Sequence, residues 1–303
     1  MRKGLMIGAT EGPDTSLDSI VRSAKDAEEK GFDHLWMANI FGFDAISTLS
    51  IIGRETNTIG LGTAVTPTYP RHPSAIAQQA LTAAAASNGR FKLGIGLSHK
   101  IVIEDMLGFS YDKPARHMRE YLHVLAPLLR GETVSYEGTQ YNVNNVALQV
   151  PGSGEVPLLV AALGPVMLKL TGEMADGTIT WMTGPNTLES HIVPTLTRAA
   201  KSAGRASPLV AAGFPIVLTN DPDEARAKVA RMLEVYGMLP SYRAMLDKEG
   251  VAGPADIALI GDEKSLLEDL KRIQETGVTD FCAAIVTDDK ETQLRTLEFL
   301  AQV

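Results

Sequence analysis

Asn88-Gly89-Arg90-Phe91-Lys92-Leu93-Gly94-Ile95-Gly96 decides the fold. Ahead of it lies the Ala-rich helical stretch Ser74–Ser87, which Asn88-Gly89 ends, and at Phe91 an apolar run begins. The same joint of helix, glycine, short connection and strand recurs at Lys30-Gly31-Phe32-Asp33, Ala175-Asp176-Gly177 and Thr276-Gly277-Val278. Candidate strands are Gly4–Ala9, His34–Ala38, Ile59–Val65, Phe91–Gly96, Leu158–Ala162, Thr178–Met182, Leu209–Val217 and Phe281–Val286. Each is a short apolar run bounded by turn residues, as parallel strands covered on both faces should be.

The helices between them have legible ends. Asp14-Thr15-Ser16 can cap a helix whose apolar positions Leu17, Ile20, Val21, Ala24 and Ala27 keep a helical period, and Gly31 stops it. Gly164–Ala175 and Ser265–Thr276 end before Gly177 and Gly277. Eight strands joined in this way predict an α/β chain, a (β/α)8 TIM barrel with insertions, over an open doubly wound sheet with the same local grammar. Residues 1–303 then form a single barrel domain, with a hairpin insertion near 132–147 and a helical insertion near 221–260.

Composition narrows the function classes. The chain has 303 residues, 45% hydrophobic and 21% charged, and a net charge of −8 that argues against nucleic acid as a partner. One cysteine, Cys282 in an apolar run, excludes a disulfide scaffold and a zinc finger. Leu5-Met6-Ile7 is too short for a signal-peptide core, and no stretch approaches the roughly 20 apolar residues of a membrane span. The expected location is the cytoplasm. His34, His72, His99, His117, His123 and His191 include no pair four residues apart, so no metal site is expected. Gly94-Ile95-Gly96-Leu97-Ser98-His99 begins like a dinucleotide fingerprint but has His99 where the third glycine belongs.

In a barrel, ligands bind where strands run into loops at the C-terminal face. Those positions here include Ala9-Thr10-Glu11, Ala38-Asn39-Ile40, Ala64-Val65-Thr66, Gly96-Leu97-Ser98-His99, Ala161-Ala162-Leu163-Gly164 and Trp181-Met182-Thr183. They are mostly small, apolar or neutral, which suits a flat cofactor that carries its own reactivity better than a carboxylate pair. Gly96–Lys100 offers turn N–H groups, a hydroxyl and a positive charge to a phosphate, and Leu163-Gly164-Pro165 offers a helix N-terminus.

Ile59-Gly-Leu-Gly-Thr-Ala-Val65-Thr-Pro-Thr-Tyr-Pro-Arg-His-Pro73, Asn88–Gly96, Ala161–Pro165 and Gly172-Glu-Met-Ala-Asp-Gly177 together resemble the luciferase-like monooxygenase superfamily, in its coenzyme F420-dependent branch. The likeness runs from about residue 4 to 190 and more loosely beyond. It implies a barrel, usually a homodimer, with a flavin or deazaflavin at the strand C-termini and a non-proline cis peptide after strand three, here Ala64–Val65. The cofactor-binding positions it implies are Asn39, Thr63, Ala64, Val65, Gly96, Leu97, Ser98, His99, Lys100, Ala161, Ala162, Leu163, Gly164, Pro165, Trp181 and Met182. Where relatives carry an acid and a histidine after strand two, this chain has Asn39-Ile40. Asn39 is the candidate catalytic position, able to hydrogen-bond a ring but not to act as a general acid.

The expected activity is hydride transfer between coenzyme F420 and a small organic substrate. An FMN-dependent monooxygenase and a non-catalytic flavin-binding barrel are the alternatives. Arg71, His72, Lys100 and Arg116 are candidate cations for an acidic cofactor tail, while Phe41, Phe43 and the Tyr236–Tyr242 stretch are candidates to shape the substrate pocket.

Overall fold

A computed structural model describes residues 1–8 and 15–303. The strands are β1 (Arg2–Ile7), β2 (His34–Met37), β3 (Gly60–Thr63), β4 (Thr66–Pro67), β5 (Phe91–Gly96), β6 (Val134–Glu137), β7 (Asn142–Val146), β8 (Leu158–Val160), β9 (Gly177–Trp181), β10 (Leu209–Leu218), β11 (Leu259–Gly261) and β12 (Asp280–Ile285). β1, β2, β3, β5, β8, β9, β10 and β12 pair in that order, all parallel, and β12 returns to β1. The ring is a closed eight-stranded (β/α)8 TIM barrel.

Each barrel strand falls where the sequence puts it, with ends moved by one or two residues. The far end of the first, at Ala9, and the cap residue Asp14 lie outside the described residues; Ser16 caps the helix Leu17–Glu29. The expected strand Ile59–Val65 is cut short at Thr63; the Ala64–Val65 peptide is cis, and the ladder resumes as β4 on β5. β11 was not expected. It lies in the stretch assigned to the helical insertion and pairs with Ile216–Leu218, beyond the part of β10 that β9 reaches. Three residues are too few to show a strand period. The insertion also holds three helices, Pro222–Met232, Glu234–Met238 and Pro240–Glu249. β6 and β7 form an antiparallel hairpin outside the barrel.

Residues alternate across each strand. Leu35, Leu61, Phe91 and Leu93 face outward into a core shared with Ile46, Leu49, Ile76 and Tyr121 of the surrounding helices. Trp36 faces inward and is fully buried among Leu159, Ile179, Ala211 and Cys282. Its ring fits because neighbouring strands carry glycine: a Cβ on Gly62 would lie 2.4 Å from Trp36 Cζ3, and one on Gly4 2.9 Å from Trp36 Cδ1. Burying such a ring contributes about 4–6 kcal/mol by the area it removes from water.

Below Trp36 the barrel floor is polar. Lys92 Nζ lies 2.5 Å from His34 Nε2 and 3.6 Å from Asp280 Oδ1, and Arg2 donates to Asp280 Oδ2 at 2.6 Å. Burial, and next the Lys92 charge, bring the His34 pKa down to about 4, so its ring is neutral and accepts from Lys92. Among the described residues no helix is long and apolar enough to cross a membrane.

Candidate active site

At the opposite, C-terminal end the barrel opens onto small residues. Gly96 forms the floor where β5 ends; a Cβ there would fall 2.5 Å from Val65 Cγ2 and 3.3 Å from Ala161 Cβ. Glycine keeps this surface flat beside the cis bond. The mouth holds two non-glycine residues in the left-handed region, Ser98 (φ 59°) and Met182 (φ 56°), each just past a strand end. Such a conformation costs roughly 1–3 kcal/mol and survives only where surrounding contacts impose it. At Ser98 those contacts are visible: its carbonyl accepts from Tyr111 Oη at 3.2 Å, and the next carbonyl, of His99, accepts from Val102 and Ile103.

Across from this turn the helix Pro165–Met174 starts. Gly164 is its N-cap and offers no side-chain cap, Pro165 fills the first turn, and a Cβ on Gly164 would meet nothing within 4 Å. Among the described residues the first-turn N–H groups have no side-chain cap at the positive end of the helix dipole, an arrangement that receives an anion. The ends of β10 and β12, where barrels commonly place a phosphate site, are acidic instead. Asp221, Glu224 and Asp289 line a cavity of about 140 Å³ there, with Asp221 and Asp289 capping their own helices.

The expected site residues separate by exposure. Ala64, Val65, Leu97, Ser98 and His99 are half-buried at the mouth, as are Ala161, Leu163, Gly164 and Trp181. Thr63, Gly96, Ala162 and Met182 are buried and shape the wall from behind. Thr63 in particular has its hydroxyl bound on both sides by Gly94. Pro165 and Lys100 are exposed, and Lys100 pairs with Glu104 at 3.5 Å. Asn39 Oδ1 accepts from the Ala45 N–H at 3.0 Å, so half of its amide caps the helix Ala45–Glu55. Of the candidate tail cations, Arg71 donates to Asp44 at 2.6 Å, and His72 caps the helix Pro73–Ala86. Thr10 and Glu11 lie outside the described residues.

Two aromatic groups were not legible as units in the sequence. One arches over the mouth: His99 lies 5.4 Å from Tyr242, Tyr242 5.5 Å from Tyr236, and Tyr236 6.1 Å from Trp181, ring centre to ring centre. It joins β5 to β9 through the helical insertion. The other lines a cavity of about 360 Å³ outside the turn, where Tyr69 stacks on His117 at 3.9 Å and His117 bonds Thr68 and Gln140. His99 meets Tyr242 and Tyr69 meets His117 only because the fold brings separate connections together, which no sequence spacing shows. Among the described residues no His, Cys, Asp and Glu side chains converge as metal ligands.

The chain is similar to several enzymes of known activity. The 5,10-methylenetetrahydromethanopterin reductase of Methanolobus tindarius is 31% identical over 249 residues, 81% of this chain and 76% of that protein. The F420-dependent glucose-6-phosphate dehydrogenase of Kineococcus radiotolerans is 28% identical over 277 residues, 86% of this chain and 81% of that protein. The solved structure of the coenzyme F420-dependent tetrahydromethanopterin reductase from Methanopyrus kandleri superposes with a TM-score of 0.82 at 24% identity, covering 99% of this chain and 97% of the other. The sequence model for the luciferase-like monooxygenase family matches residues 1–280, up to the start of the last barrel strand, and the chain belongs to that family of enzymes.

Proposed function

We propose that the mouth binds coenzyme F420 and that the protein is an oxidoreductase moving a hydride between this deazaflavin and a small organic substrate. The observation that carries the proposal is the uncapped helix start at Gly164 facing the Ser98 turn across a floor of Gly96 and Ala161. A flat ring with one phosphate in its side chain fits that surface. The F420-dependent relatives support the choice of deazaflavin over FMN.

When bound, F420 supplies the ring carbon that gives or receives the hydride. The protein's share is placement. The N–H groups after Gly164 and the Ser98 hydroxyl would hold the phosphate, while Ala64 and Val65 would back the ring. Leu97, Leu163 and Trp181 would keep the reacting face dry. Residues 1–303 then act as one catalytic barrel domain, with 132–147 and 221–260 as its insertions. Equilibrium binding tests the assignment: Ser98→Ala and Gly164→Asp should each weaken F420 binding at least about ten-fold, the loss of one charge-assisted hydrogen bond or the gain of a repelling charge. Unchanged affinity in both variants would move the phosphate elsewhere.

A further inference from the structure

We infer that His99 exchanges a proton with the substrate while the hydride moves, an inference that rests on the F420 proposal above. The other histidines are committed elsewhere or lie outside the mouth. His34 is bound by Lys92 at the barrel floor, His72 caps a helix, and His117 bonds Thr68 and Gln140. The His191 Nε2 lies 2.8 Å from the Leu163 carbonyl and donates to it, and His123 is exposed and stacks on Tyr136. His99 alone joins partial burial at the mouth to two ring nitrogens without a hydrogen-bond partner among the described residues.

Its position is set from two sides. The left-handed Ser98 turns the chain at the end of β5, and Tyr242 of the insertion meets the imidazole at 5.4 Å. Among the described residues, the charged and titratable groups around it leave the ring free. Lys100 and Glu104 pair with each other, and the Tyr111 hydroxyl donates to Ser98. Burial holds the Tyr242 and Tyr236 phenols above their ordinary range, so they stay protonated. Burial also pushes the His99 pKa down, leaving a neutral base at neutral pH.

In the oxidising direction the substrate's C–H bond breaks, and its hydrogen leaves with the electron pair to oxidised deazaflavin, which becomes reduced. The neighbouring O–H or N–H bond releases its proton to a free nitrogen of His99, which later passes it to water. In the reducing direction the imidazolium returns the proton. Asn39, which cannot ionise, leaves this task open at the end of β2.

NMR of the full chain with ¹³C-labelled histidine tests this, with His99→Gln to identify the resonance. That resonance should titrate below the ordinary imidazole value in the free protein. Its pKa should then differ by about half a unit or more, roughly 0.7 kcal/mol, between the oxidised and reduced F420 complexes. His99→Gln should bind F420 within about three-fold of wild type. Tyr242→Phe, which keeps the ring contact, should leave the titration in place. F420 binding with a His99 resonance indifferent to cofactor redox state overturns the inference alone. So does a large loss of affinity in His99→Gln, which would make the ring a phosphate ligand. Failure of wild type to bind F420 instead removes the proposal beneath it.

Discussion

The Thr63 hydroxyl donates to the Gly94 carbonyl at 2.7 Å and accepts the Gly94 N–H at 2.8 Å, so one side chain supplies both halves of a strand pairing. The backbone register between β3 and β5 runs Leu61 to Phe91 and Gly62 to Lys92, and resumes only at Thr66 with Ile95 on β4. Thr63 fills the gap left where the chain bulges toward the mouth. Thr63→Val keeps the shape and leaves two buried backbone groups unpaired, so it should cost about 2–4 kcal/mol in denaturant unfolding. Thr63→Ser should recover most of that loss. A valine variant as stable as wild type would mean the bulge is held by other contacts.

The packing of Trp36 makes a second expectation. Gly62→Ala drives a methyl into the six-membered ring and should destabilise the barrel by about 1–3 kcal/mol, measured by chemical unfolding. Combining it with Trp36→Leu should cost less than the sum of the two single changes, because the smaller side chain vacates the space. Additive costs would show that the alanine is accommodated elsewhere.

Acid stability follows from the barrel floor. His34 has a folded pKa of about 4 against an ordinary 6.5, so the unfolded chain binds the proton more tightly. Its contribution is present above about pH 6.5 and is lost as pH falls toward 4, amounting to about 3 kcal/mol. His99 and His117 are also pushed down by burial and add to the same trend. The stability of His34→Gln between pH 6.5 and 4.5 should therefore fall less steeply than that of wild type, by up to one proton's slope. Equal slopes would place the His34 pKa near its ordinary value in the folded protein.

Charge near the mouth contributes little to F420 binding on this account. Lys100 is exposed and pairs with Glu104, and Arg71 is held by Asp44. Lys100→Ala should weaken F420 by no more than about five-fold, the worth of one exposed ion pair, and the difference should vanish at high salt. A larger, salt-resistant loss would make Lys100 a direct phosphate ligand.

Much of the barrel was legible because its joints are local. A helix that ends at Asn88-Gly89 and a strand that begins at Phe91 need only neighbouring residues to specify them. Part of the motifs that carried the family resemblance is architectural. Arg90 donates to the carbonyls of Gly53 and Thr56 at 2.9 and 2.8 Å, and Arg71-His72-Pro73 starts a helix while anchoring Asp44. These residues identify the fold because they build it. The site was legible as positions at strand ends, but not as roles. Whether Asn39 faces a ligand or caps a helix depends on Ala45, and whether His99 is free depends on Tyr242, more than a hundred residues away. β11 escaped because its pairing partner, not its own composition, makes it a strand.

A mouth that takes a deazaflavin in preference to a flavin reveals itself in binding alone. Its most direct test is an equilibrium titration of the Trp36→Phe protein with F420 and with FMN in the same buffer. Trp181, half-buried at the mouth, is then the sole tryptophan. F420 should quench Trp181 saturably at lower concentration than FMN, an effect lost in Gly164→Asp and retained in the hairpin variant Glu137→Ala. Tighter binding of FMN, or quenching by neither cofactor, would contradict it.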